Sequence, residues 1–292
     1  MSVARLSPEL PAELPAELPT ATGRQARLFD SIRRRVLIVF VVGYAALLVL
    51  APVAALIGGA VSEGLGAIYA ALMQPDVLHA FGLTLEIAAL VVVIHAVFGT
   101  IVAWVLARHH FWGHSLVNGL IDLPFAVSAV VVGYMLLLIF GRTGLFGPLL
   151  DRLGIKIAFA VPGMVLATLF VSLPFMVREL LPVLQAFGVE QEQAAATLGA
   201  SGWQTFWWVT FPALRWGFLY GVVLTFARAL GEFGAVLVIG GAIQGLTETA
   251  TLFIFRSLDQ REYVAAYSAA LVLGLFSLIL VTGIDFIRRR ER

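Results

Sequence analysis

Two charged side chains stand inside an otherwise apolar run, Arg228 and Glu232 in GVVLTFARALGEFGAV (221–236). Four residues apart on a helix, they share a face and can neutralise one another. An ionisable group at membrane depth is costly, and it is either paired or functional. Two roles are open for this pair. One is a structural ion pair; the other is a pathway or gate, with Glu232 set between Gly231 and Gly234 where helices pack closely. Ser128, Thr168, Ser172 and Thr225 are polar groups available to a transient cavity in the membrane. Glu86 and Asp122 fall near the ends of apolar runs, where hydration makes a charge cheaper. His109, His110 and His114, beside Arg108, read as interfacial side chains rather than as a metal site. There is no G-x-S-x-G, no H-E-x-x-H and no Ser/His/Asp set on one face, so no catalytic residue is assigned. Nor is there a G-x-x-x-x-G-K-[ST] phosphate loop, and the single lysine, Lys156, stands in GIKIA. Without that loop the chain cannot hydrolyse ATP.

The elements that carry these residues are hydrophobic. Of 292 residues, 60% are apolar and only 13% charged, with a mean hydropathy of +0.96. Water-soluble domains run to about 25% charged residues, so this chain could not cover a solvated surface, and it reads as an all-α integral membrane protein. A net charge of +1 and no cysteine argue against nucleic acid as a partner and exclude disulfides and thiolate metal sites. Spanning a bilayer takes about 20 apolar residues. Six runs qualify, at 36–57, 82–107, 118–140, 158–178, 217–239 and 264–287. They are apolar all round, which argues for helices and against a β-barrel.

Residues 7–19, PELPAELPAELPT, repeat with a period of four, and proline at that spacing forbids a regular helix. Residues 1–32 therefore read as a disordered Pro/Glu/Ala-rich cytoplasmic tail, and 33–288 as one transmembrane domain. No apolar leader follows Met1, so the first span is expected to act as its own insertion signal. Arg33, Arg34 and Arg35 before the first span, and Arg288, Arg289, Arg290 and Arg292 after the last, put both termini in the cytoplasm by the positive-inside rule. Segments 108–117 and 179–216 then lie inside, and 58–81 and 240–263 outside. Arg142, Arg152 and Lys156 in 141–157 run mildly against that order.

The longest inner loop carries the most local information. Glu190–Leu198 has three consecutive alanines and no breaker, so it predicts a helix, with Gly199 at a left-handed helix end. Ser201 and Gln204 form an S-x-x-Q capping box that starts a second helix. On it Trp203, Phe206, Trp207 and Thr210 recur at three- and four-residue spacing, giving an aromatic face, and Pro212 is expected to close it. Helices this short need a surface to pack on. Their own helix ends, the lipid interface and a groove on a soluble subunit are all open.

The stretch 192–212, EQAAATLGASGWQTFWWVTFP, resembles the EAA loop of ABC importer permeases, with Ala194, Ala195, Gly199, Val209, Phe211 and Pro212 in register. The motif glutamate, six before the glycine, falls on Gln193, and Glu192 stands one place earlier. Together with GVVLTFARALGEFGAV and IDLPFAVSAVVVGYMLLLIFG, the chain is similar to the sulfate/thiosulfate permeases, of CysW type, within the sulfate/molybdate group. That resemblance implies a type I (MetI-like) permease fold of six transmembrane helices in the bacterial inner membrane. It implies an ATPase-coupling loop over 190–212 that includes Glu192, Gln193 and Ser201. The implied partners are a CysA-type ATPase holding ATP and Mg, a CysT-type second permease and an extracytoplasmic sulfate-binding protein. No cofactor is expected on this chain. Rival readings are a molybdate/tungstate permease, an ion-driven secondary transporter, which would carry paired acids at depth, and an intramembrane enzyme, for which no nucleophile or metal set is assembled.

Overall fold

The computed structural model describes residues 21–290, with side chains over 33–286. The described residues form helices α1 (Ala21–Val61), α2 (Leu65–Leu72), α3 (Pro75–Arg108), α4 (His114–Ala126), α5 (Ala129–Phe140), α6 (Gly147–Arg152), α7 (Val161–Phe187), α8 (Glu190–Thr197), α9 (Gly202–Thr205), α10 (Phe211–Leu230), α11 (Gly234–Gly240), α12 (Ala250–Asp259) and α13 (Tyr263–Arg290). Residues 206–210 form a single π-helical turn between α9 and α10. Residues up to Ala55 and those from Leu56 onward form two separate units. In the first, the apolar side chains of α1 are exposed from Val36 through Val53. Residues 1–20, most of the expected tail, lie outside the described residues, and within that tail the backbone is already helical from Ala21.

The second unit is built on α7, whose Met164, Thr168, Val171, Met176, Val177, Leu180 and Leu184 are all buried. Helices α3, α10, α5 and α11 pack around it. Small residues allow the approach: a Cβ added at Gly99 would sit 2.8 Å from Met176 Cγ, and one at Gly133 would sit 2.8 Å from the carbonyl oxygen of Ala235. Helix α3 opens with Pro75 and Asp76 and ends with Arg108, an order that suits the helix dipole. Its 34 residues reach about 50 Å at ~1.5 Å per residue, beyond a hydrocarbon core of ~30 Å. Its charged ends can therefore stand clear of the lipid tails.

Five helical segments are long and apolar enough to cross a membrane, and a sixth span results if α4 and α5 are counted together. This corrects two of the six expected spans. The run 118–140 is not one helix: α4 and α5 meet at an angle of 113°, with Val127 and Ser128 in extended conformation. The run 217–239 is broken as well, since α10 ends at Leu230 and α11 starts at Gly234. The two breaks meet, because a Cβ on Gly234 would lie 3.1 Å from Val130 and 3.3 Å from Ala129. Hydropathy registers how apolar a run is but not its direction, so neither bend shows in it.

Candidate functional site

The strongest polar constellation ties the alanine-rich loop to the ends of three long helices. Arg108, the last residue of α3, donates from Nε to Glu192 Oε2 at 2.9 Å and from Nη2 to Glu192 Oε1 at 3.0 Å. Its Nη1 donates to the carbonyl of Leu184 in α7 at 3.0 Å. Thr210, at the foot of α10, donates its hydroxyl to Glu192 Oε1 at 2.8 Å. The side chains of Arg108 and Glu192 are 6% and 16% exposed. A bidentate guanidinium–carboxylate pair is the most directional polar contact a protein makes, so α8 is fixed in both position and rotation. Gln193, at the motif position, is exposed, and Glu192 is the residue turned inward. The loop thus keeps its acid one residue early and uses it within the chain.

Beyond α8 the expected corner is present. Gly199 sits at φ +88°, and the Ser201–Gln204 capping box closes in both directions, Gln204 N–H to Ser201 Oγ at 3.3 Å and Ser201 N–H to Gln204 Oε1 at 2.8 Å. Pro212, however, does not end the second helix. The chain runs from Gly202 to Leu230 as one span, with Pro212 in the first turn of α10. Proline lacks an N–H and its ring clashes with the carbonyl four residues back. The π turn just before it, closed by Phe211 N–H to Phe206 O, widens the helix where that clash would fall.

The aromatic face is real but divided. Trp203 stacks on Phe206 at a centroid distance of 6.4 Å, and Trp207 meets both edge-on at 5.6 and 5.3 Å. With Thr100, Ile101 and Trp104 of α3 they line an open apolar cleft of about 830 Å³. Trp208 and Leu198 point the other way, 81% and 89% exposed, beside a second hollow of about 430 Å³. The periodicity 203–206–207–210 selects the inward face and passes over Trp208, which belongs to the outward one. Ala194 and Ser201 are exposed and Ala195 is half-buried.

The membrane candidates are placed as follows. Arg228 and Glu232 are paired, Nη2 to Oε2 at 2.8 Å, but Glu232 is not on the helix with Arg228. It lies in the break after α10, its Oε1 accepting from the Ala235 N–H of α11 at 3.0 Å and its carbonyl from Thr251 at 2.7 Å. Gly231 is exposed and Gly234 is buried against α5. Ser128 stands exposed at the bend. Ser172, Thr168 and Thr225 are buried within the packing of the chain, at 0%, 1% and 0% exposure. Ser172 bonds to Thr168 O at 2.6 Å and contacts His95 Nε2 at 3.1 Å. In this structure all three are packed inside the chain.

Besides Arg108–Glu192, two further ion pairs escaped the sequence reading. Arg178 of α7 grips Asp122 of α4 through Nε at 2.7 Å and Nη2 at 2.5 Å, and also bonds Asn118. Arg256 of α12 grips the buried Glu248 at 2.6 and 3.2 Å, which holds its guanidinium above the ordinary arginine range. In sequence each partner is one charge in a polar loop or at a helix end, separated by other residues, so spacing carries no signal. Among the described residues no cluster of His, Asp or Glu could hold a metal ion.

Five or six apolar segments long enough to cross a bilayer, with a pinned, capped loop, define a helical membrane protein. The chain matches the family described as binding-protein-dependent transport system inner membrane component over residues 95–292. It is 48% identical to the sulfate transport system permease protein CysW of Synechococcus elongatus, over 81% of this chain and 82% of that one. The sulfate transport system permease protein CysT of Escherichia coli K12 is 38% identical, over 85% and 89%. In three dimensions a bacterial ABC transporter that imports alginate superposes with a TM-score of 0.74 at 16% identity, covering 90% of this chain and 99% of that one, which shows a shared fold. The chain belongs to the family of binding-protein-dependent ABC importer permeases, in its CysW-type sulfate permease branch. It is a multi-pass membrane protein.

Proposed function

We propose that this chain is one permease subunit of an ATP-driven importer that moves sulfate, and the related thiosulfate, across the bacterial inner membrane into the cytoplasm. The observation that carries this reading is the loop 190–212. The Arg108–Glu192–Thr210 clamp holds it rigid while Leu198 and Trp208 stay uncovered, the form of a joint that another subunit grips. That subunit is a CysA-type ATPase, which holds ATP and Mg. Both termini and the loop face the cytoplasm, as the terminal arginine clusters require. Similarity to both CysW and CysT supports a heterodimer with a CysT-type permease, and the family's description supports delivery by an extracytoplasmic binding protein. The anion assignment rests on the relatives' names.

Uptake of labelled sulfate by cells lacking the gene, with and without excess thiosulfate or molybdate, tests the whole reading. Loss of sulfate uptake on deletion, with thiosulfate competing in the wild type, is the expected result. Uptake unchanged in the deletion strain, in the absence of a second importer, removes sulfate, and molybdate becomes the anion to test.

A further inference from the structure

Three guanidiniums, Arg108 of α3, Arg178 of α7 and Arg228 of α10, differ in how their donors are used. Arg108 spends Nε, Nη1 and Nη2 on Glu192 and Leu184 O. Arg178 spends the same three on Asp122 and Asn118. Arg228 has one close partner, Glu232 Oε2 at 2.8 Å from Nη2. Even that contact lacks hydrogen-bond geometry, since Glu232 Oε2 is buried without a hydrogen-bond partner. Among the described residues no hydrogen bond engages Arg228 Nε or Nη1, and the side chain is 31% exposed. It stands one turn before the break between α10 and α11, beside the exposed Gly231, where an added Cβ would meet nothing nearer than 3.8 Å. Phe226 turns toward Phe276 of α13 at 6.3 Å, while Thr225 and Ala229 turn into the core. Arg228 lies on neither face.

An accessible guanidinium fork with unspent N–H donors suits a tetrahedral oxyanion, whose oxygens accept charge-assisted hydrogen bonds. We propose that Arg228 is a transient anion contact of the permeation pathway, its Nε and Nη1 donors, which lie on different edges of the guanidinium, each offering a single N–H to an oxyanion oxygen while Glu232 beside Nη2 steadies the guanidinium and keeps the contact weak. Glu232 is held from behind by Ala235 N–H, so it stays beside the arginine when the anion arrives, and its charge opposes a dianion. A lone buried arginine would retain sulfate; an arginine with a fixed counter-charge passes it on. This inference rests on the reading of the chain as an anion permease.

The test uses the assembled importer in proteoliposomes, with its binding protein outside and labelled sulfate as probe. R228Q is expected to lower flux roughly ten-fold or more, the loss of one charge-assisted hydrogen bond, while the subunits still co-purify. R228K keeps the charge but not the fork, so it raises the KM for transport. The decisive variant is the double R228Q/E232Q. A pair that merely holds the break together is replaced by two neutral amides, and flux returns toward wild type, which overturns the proposal. An anion contact stays lost, and flux stays low. Wild-type flux in R228Q also overturns it. If R228Q does not assemble, R228K decides, unchanged KM counting against the proposal. A wild-type importer that moves molybdate and not sulfate strikes the substrate assignment alone, and the same variants are then read on molybdate flux.

Discussion

At the residue scale, Arg108 and Glu192 decide how the loop 190–212 sits. They are 84 residues apart in sequence, and each is nearly buried. Removing one partner of such a pair leaves the other charge unpaired and costs about 3–5 kcal/mol, whereas Glu192→Gln keeps one acceptor oxygen, losing the charge and one of the two bonds from Arg108. We expect Arg108→Ala to lower transport strongly and to raise ATP hydrolysis per anion moved, because the loop no longer drives α3 and α7. Glu192→Gln should fall between it and wild type. Measuring phosphate release and sulfate flux together in proteoliposomes checks this; an unaltered ratio in Arg108→Ala removes the clamp from the coupling path. Gln193→Glu, on the outward face, should leave the clamp intact and alter only affinity for the ATPase subunit.

At the element scale, two features set the geometry between the loop and the core. One is the π turn at 206–210, which absorbs Pro212. With Pro212→Ala an ordinary α-helix becomes possible, and losing one residue from the wide turn rotates α9 and its tryptophans by about 100° relative to α10. The expected result is an inserted, folded permease with impaired coupling, seen as normal membrane abundance with reduced uptake. The other is the α5–α11 contact at Gly133. A methyl there would meet the Ala235 carbonyl oxygen at 2.8 Å and Val238 Cβ at 2.7 Å, and backbone cannot give way as a side chain can. Gly133→Ala should therefore separate the two half-helices and lower thermal stability in detergent, while Gly82→Ala, with nothing within 4 Å, should leave it unchanged.

At the scale of the whole molecule, the proposed function puts the ATPase subunit on the outward surface of the loop. Leu198 and Trp208 are its most exposed apolar groups, so Trp208→Asp is expected to abolish co-purification with the ATPase. Trp203→Asp, on the cleft side, should leave co-purification closer to wild type. The reverse order would reassign the docking face to the cleft. The absence of cysteine makes orientation directly measurable. A single cysteine at Glu63 should react with an impermeant maleimide in intact spheroplasts, and one at Leu198 only after the membrane is opened.

The sequence by itself determined the class of the protein, because low charge and long apolar runs leave a bilayer as the only solvent that suits it. It also determined the capped corner at Gly199–Ser201, since capping is local: Ser201 and Gln204 are three residues apart and meet wherever a helix starts. Arg228 and Glu232 were legible as a pair for the same reason. Only the tertiary structure decided that Glu192 turns inward and is used within the chain, because nothing local marks it until Arg108 arrives from α3. It also decided that two spans are broken, since a bend is stabilised by the partner it meets, Gly234 against Ala129, and not by the apolar content that marks a span. Pro212 shows both sides of the division. Local rules treat it as a helix end, yet the helix passes through it by way of a π turn, because α10 is held against α7 and α3 and packing outweighs one lost backbone hydrogen bond.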